Sequence, residues 1–193
     1  MNINILILII LLLILLLFTS SSESFEILEL SSTGKEYTVQ EYDNTKEAAN
    51  ILAKLDKNIH IFIRKLKQDY PNDDRIKRME KNLSTSIIEE APHVDNESTY
   101  TINKGELIKI CIRKKIKNKP FHNLNMLMFV VIHELAHVIS ISIGHTDEFM
   151  ENFRFLLKNA AEYNINYEPV DFSKNNVNYC GVEVTHNPYY NHI

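Results

Sequence analysis

The chain has 193 residues, with 21 Lys and Arg against 25 Asp and Glu for a formal net charge of −4, 45% hydrophobic residues, two Cys and no Trp. That is one domain's worth of chain with enough apolar residues for a core. It excludes a disordered tail, a collagenous or solenoid array, a disulfide-dense miniprotein and a strongly basic nucleic-acid wrapper.

Ile5 to Phe18 is an unbroken apolar run of 14 residues, followed at once by Thr19-Ser20-Ser21-Ser22-Glu23. As a helix it reaches about 21 Å, short of the roughly 30 Å hydrocarbon core of a bilayer. Residues 1–22 therefore read as a signal peptide or a membrane anchor. The small residues Thr19 to Ser22 fit a peptidase site, whereas the absence of Lys or Arg before the run argues against removal. Either way the protein is expected to be membrane-anchored by this one segment, or secreted, with its bulk on the exoplasmic side. In such a compartment Cys111 and Cys180 form either one disulfide or two buried thiols, and Asn82-Leu83-Ser84 and Asn96-Glu97-Ser98 are glycosylation candidates.

Residues 23–43, Ser- and Glu-rich with scattered apolar positions, read as a linker or stalk, and folded structure is expected from Asn44. Asn44 and Glu47 have capping-box spacing, and Ala48, Leu52, Leu55, Ile59, Phe62, Ile63 and Leu66 share one helical face until Pro71 ends the pattern. A shorter amphipathic helix is predicted over Asp73 to Leu83. Tyr100 and Ile102, then Leu107 to Ile112, flank Asn103-Lys104-Gly105 and predict a hairpin. The basic run Arg113 to Lys119 reads as a solvated loop closed by Pro120. Asn123 can cap a helix running to Ile139, with Gly144 as its terminator. Asp147 to Tyr163 predicts a last helix whose inner face carries Phe149, Phe153, Leu156, Leu157 and Ala160. Residues 44–170 thus form the domain, and 171–193, with a strand at Val182 to Thr185, form a C-terminal extension packing on it.

His133-Glu134-Leu135-Ala136-His137 is an H-E-x-x-H motif inside the predicted helix. Residues i and i+4 share a helical face, so both imidazoles can reach one Zn²⁺, while Glu134, about 100° around, can meet a water on the metal. A catalytic zinc needs a third protein ligand and an open position. His145 is the choice, since a turn after Gly144 can fold it back; Asp147, Glu148, Glu151 and Glu162 are rivals. Burying His133, Glu134 and His137 in so apolar a helix is costly without a shared task. His60, His93, His122, His186 and His192 lie outside the pattern and read as ordinary surface or loop residues.

With Tyr100-Thr101-Ile102-Asn103-Lys104-Gly105, Ile108-Lys109-Ile110-Cys111-Ile112-Arg113, the His133 motif and Gly144-His145-Thr146-Asp147-Glu148-Phe149, the stretch from Tyr100 to Glu162 resembles a WLM-type zinc metallopeptidase domain, and is similar to SprT-like proteases. The resemblance implies Zn²⁺ on His133, His137 and His145, Glu134 as the catalytic residue, and Phe149 packing the following helix. A form of the domain that occurs in large DNA viruses would suit the Ile-, Asn- and Lys-rich composition and a virion-associated location. Seven residues separate His137 from His145, a longer gap than is usual in the WLM pattern. Those families are associated with cleaving proteins crosslinked to DNA, but a net acidic chain with no legible DNA-binding module is not expected to contact nucleic acid directly.

The expectation is an α+β, zincin-like metallopeptidase domain, its short β-hairpin or sheet packed on helices and its metal-binding helix central. It would hydrolyse peptide bonds of a protein or peptide substrate through a zinc-bound water activated by Glu134. Tyr163 and Tyr179 are candidate donors to the oxyanion. Two alternatives from other classes are a membrane-tethered or virion structural protein stapled by a non-catalytic zinc, and a metal-free binding module in which the motif is coincidental.

Overall fold

A computed structural model describes residues 25–92 and 98–190. The expected leader over 1–22, His93, His192 and the Asn96 sequon lie outside them. Among the described residues no helix is long and apolar enough to cross a membrane.

Among the described residues the architecture is α+β: four helices with one three-stranded sheet and two hairpins. Strands β1 (Glu26–Leu30) and β2 (Glu36–Gln40) pair antiparallel. This corrects the reading of 23–43 as a stalk. Alternation over Tyr37 and Val39 is the period of a half-buried strand, and both residues are buried. The Tyr37 hydroxyl donates to Asp56 Oδ2 at 2.8 Å, which ties the hairpin to the first helix.

Helix α1 (Thr45–Asp69) buries the predicted face through Leu52, Leu55, Ile59, Phe62 and Leu66. Its expected capping box does not form. Asn44 is left-handed, with φ 78°, and makes no side-chain cap; its Oδ1 instead accepts from Arg113 Nη1 at 2.5 Å. Helix α2 (Asp74–Leu83) is capped by Asp73, which accepts from the Arg75 N–H.

Strands β4 (Tyr100–Ile102) and β5 (Leu107–Ile110) form the predicted hairpin. A third strand, β3 (Ile87–Glu90), runs parallel to β5 on its other side, so β4 is left at the sheet edge. Beyond β5 the basic run folds back on itself through an Arg113–Phe121 bridge. Arg113 does not belong to the solvated loop: it is buried and donates to Glu90 Oε1 at 2.8 Å.

Helix α3 (Leu124–Ile139) is the centre of the molecule, capped as expected by Asn123, whose side chain accepts from the Met126 N–H. It is buried almost all round, packing on α2, on the sheet and on α4 (Asp147–Glu162). It ends at Ser140, in extended conformation, so Gly144 (φ 83°) shapes the loop ahead of His145 and does not terminate the helix. The chain then returns through buried Tyr167 and Phe172 to a last hairpin, β6 (Val177–Tyr179) and β7 (Val182–Val184), turned by Cys180 and Gly181 at positive φ. Cys111, after β5, and Cys180 form a disulfide. Of the two options the sequence left open, the disulfide is the one observed.

Candidate metal centre

The period of α3 puts His133 and His137 one turn apart on a single face, with ring centroids 4.9 Å apart. The loop over 141–146 brings His145 back onto them, its Nε2 3.1 Å from His133 Nε2. Ligand atoms of all three lie within 4.8 Å of one another, and among the described residues this is the one such grouping of three or more His, Cys, Asp or Glu. A tetrahedral zinc with bonds of about 2.05 Å spaces its nitrogens roughly 3.3 Å apart, so a small side-chain adjustment gives the required set. Burial pushes His133 down to about 3 and His137 to about 4. At neutral pH both are therefore in the uncharged form that a metal binds.

Phe149, on the first turn of α4, is the floor of the cluster. Its ring stacks on His137 with centroids 4.3 Å apart and meets His133 and His145 edge-on at 5.0 and 4.7 Å. Thr146 caps α4 by accepting from the Phe149 N–H, which fixes that ring three residues after the loop ends.

Two residues to which the sequence assigns no role position the rest. Lys104, left-handed at the tip of the β4–β5 hairpin, reaches across to donate from Nζ to the carbonyls of His137, Ser140 and Ser142 at 3.2, 2.9 and 2.8 Å. It thereby satisfies the C-terminal carbonyls of α3, where a cation is favoured by the helix dipole. Thr101, on β4, donates its hydroxyl to Glu134 Oε2 at 2.7 Å. Glu134 is only 4% exposed, and burial pushes its carboxyl up to about 7, with the Thr101 hydrogen bond pulling the other way. The only signal in the sequence was the hairpin itself; nothing local said that it lands against the motif helix.

None of the carboxylate rivals for the third ligand joins the cluster. Glu148 accepts from the backbone N–H groups of Ile141 and Ser142 at 2.8 and 2.9 Å, and these bonds hold its carboxyl well below the usual carboxylate range while bracing the loop. Asp147, Glu151 and Glu162 are exposed. Neither oxyanion candidate stands as read. Tyr163 follows α4 at its far end, about 21 Å along the axis from Phe149, with its hydroxyl on Asp69. Tyr179 does border the site, but it is buried and its hydroxyl is committed to the Cys111 carbonyl and Thr99. His122 is likewise no surface residue: it is buried against Tyr179, with Nε2 3.4 Å from Cys180 Sγ, and burial pushes it down to about 4. His60 is exposed, as expected.

Two cavities open on either side of the imidazoles and share His133, Glu134 and His145 as their common wall. One, of about 710 Å³, runs along β4 past Tyr100, Thr101, Asn103 and Lys104. The other, of about 490 Å³, lies between α3, α4 and the β6–β7 hairpin and includes His186 at its rim. The cluster therefore sits in a continuous cleft and not in a sealed core.

No protein-family model matches the chain. A solved structure of a Wss1 mutant from S. pombe superposes with a TM-score of 0.43 and 20% identity over 72% of this chain and 100% of that one, a likeness too loose to establish a shared fold. The chain is 41% identical over 90 residues to uncharacterized protein 042R of Invertebrate iridescent virus 3, and 34% identical over 96 residues to uncharacterized protein 136R of Invertebrate iridescent virus 6. Each match covers about half of both partners, 46% and 49% of this chain, and 53% and 52% of those. Uncharacterized protein R325 of Acanthamoeba polyphaga mimivirus is 34% identical over 159 residues, 79% of this chain and 78% of that protein. On that identity and coverage, the chain belongs to the family of mimivirus protein R325.

Proposed function

We propose that the protein is a zinc-dependent, WLM-like metallopeptidase. One observation carries the reading: three imidazoles from an H-E-x-x-H helix and the loop after it converge within 4.8 Å, beside buried Glu134 and on the wall of an open cleft. His133, His137 and His145 would hold the zinc, which when bound would supply a Lewis acid for the scissile carbonyl and for a water. Glu134 takes the proton of the attacking water and passes it to the leaving amine. Thr101 orients that carboxyl, and Lys104 and Glu148 hold the helix end and loop from which His145 projects. β4, the edge strand, lines the cleft, so an extended substrate has a strand to lie beside. A membrane-anchored or secreted location, set by residues 1–22, is part of the proposal, and the Cys111–Cys180 disulfide supports an oxidising compartment.

Glu134→Gln tests the assignment. It preserves the shape of the side chain and removes the base, so the variant should retain one zinc per chain while peptide cleavage falls on the order of 10²- to 10⁴-fold. Equal cleavage by variant and wild type contradicts the assigned role. A zinc that only staples the fold would instead show four protein ligands and unfolding on chelation.

A further inference from the structure

The cleft is chemically lopsided. On the β4 side of the imidazoles its walls are mixed, with Thr101, Asn103 and Lys104 beside Tyr100. On the other side the cavity of about 490 Å³ is lined chiefly by Phe129, Val130, Met150, Phe153 and Val184. Phe129 and Phe153 are buried and pack on each other with centroids 5.4 Å apart, so the base of this cavity is a preformed apolar surface. Its outer wall is β7, fastened to the body of the protein by the adjacent Cys180–Cys111 disulfide. The cavity is continuous with His133, Glu134 and His145, which places any side chain seated in it next to the bond being attacked. Its size is within the range of ligand pockets, larger than one aliphatic side chain needs. Apart from Glu134, which it shares with the histidine cluster, the carboxylate on its lining is exposed Glu183.

We infer that this cavity is the specificity pocket of the enzyme, and that its occupant is a large apolar side chain, aromatic, Leu or Met, of a substrate residue directly flanking the scissile bond. The inference rests on the peptidase reading above and adds a substrate class to it. An apolar pocket discriminates by the surface it removes from water, worth roughly 10- to 100-fold for a full side chain, and rejects charge because a buried ion has no partner there.

Two readouts test it on the full chain. The zinc-loaded wild type is given a random-sequence peptide library and the products are sequenced. Phe, Tyr, Leu or Met should be enriched about tenfold or more over Lys and Asp at one flanking position and not at the other. In parallel, the Glu134→Gln protein is titrated with fluorescent peptides differing only in Phe or Lys at that position, or at each flanking position in turn if nothing is cleaved; the Phe peptide should bind at least tenfold more tightly. Val184→Trp, which fills the partly exposed wall, should shift the preference toward Ala. Val184→Lys should shift it toward Asp and Glu, a gain that loss of folding cannot mimic. Cleavage without selection at either flank, or equal binding of the two peptides, overturns the pocket and leaves the peptidase reading standing. Selective binding of the Phe peptide with no cleavage by wild type overturns the peptidase reading and leaves the pocket.

Discussion

Lys104 touches no predicted ligand atom, yet three carbonyls spanning the end of α3 and the His145 loop depend on its ammonium. Lys104→Met should lower stability by about 1.5–3 kcal/mol, the usual worth of charged hydrogen bonds. It should also weaken zinc binding about tenfold, as supporting residues of metal sites do. Urea titration and competition with a chromophoric chelator measure the two effects; lost stability with unchanged zinc affinity would restrict Lys104 to the helix end. The next residue, Gly105, has φ 116°, and a Cβ there would lie 2.9 Å from Leu83 Cδ2 and 3.2 Å from Val138 Cγ2. Gly105→Ala should therefore cost about 1–3 kcal/mol. The contrast with His133 and His137 shows what a sequence can say at this scale. Their relation follows from helical period alone and was legible in five letters. Lys104 and Thr101 meet α3 from 33 residues away, where no local pattern reports the contact.

Among the elements, the helices were the most readable, because α1, α2, α3 and α4 each carry several turns of apolar periodicity and three have a side-chain N-cap. The short strands were not. β3 offers only Ile87-Ile88-Glu89-Glu90, and β1 and β2 are five residues each in a Ser- and Glu-rich stretch, so tertiary packing and not propensity decides them. β6 and β7 are three residues each and depend on the turn at Cys180-Gly181 and on the disulfide. Replacing Cys111 and Cys180 together by Ser opens a loop whose ends are 69 residues apart. On the chain-entropy model this should remove on the order of 4 kcal/mol, seen as a lower Tm. Zinc content should stay at wild-type level, because His133, His137 and His145 all lie on α3 and the loop that follows it; loss of zinc along with the disulfide would tie the metal site to the hairpin.

Across the whole molecule, the buried Glu90–Arg113 pair joins parts that are distant in sequence. Glu90 on β3 accepts from Arg113 and from the Gln40 N–H of β2, while Arg113 reaches Asn44 at the start of α1 and lies over the Phe121 ring. Arg113→Met strands a buried carboxylate and should destabilise the fold by about 3–5 kcal/mol. The double variant with Glu90→Leu should regain much of that in denaturant titration; equal losses in the single and double variants would show that packing of Arg113 on Phe121, not charge, is at stake. These contacts join β2, β3 and the start of α1 to the segment after β5, and α3 packs on β4 and β5 of the same sheet. Held there, α3 and the loop after it bring His133, His137 and His145 together as a candidate metal site. The most direct measurement is zinc per chain, by mass spectrometry, on the purified full-length protein beside its His145→Ala variant. About one zinc in the wild type and far less in the variant is the predicted result; a folded wild type without zinc, or equal zinc in both proteins, would contradict it.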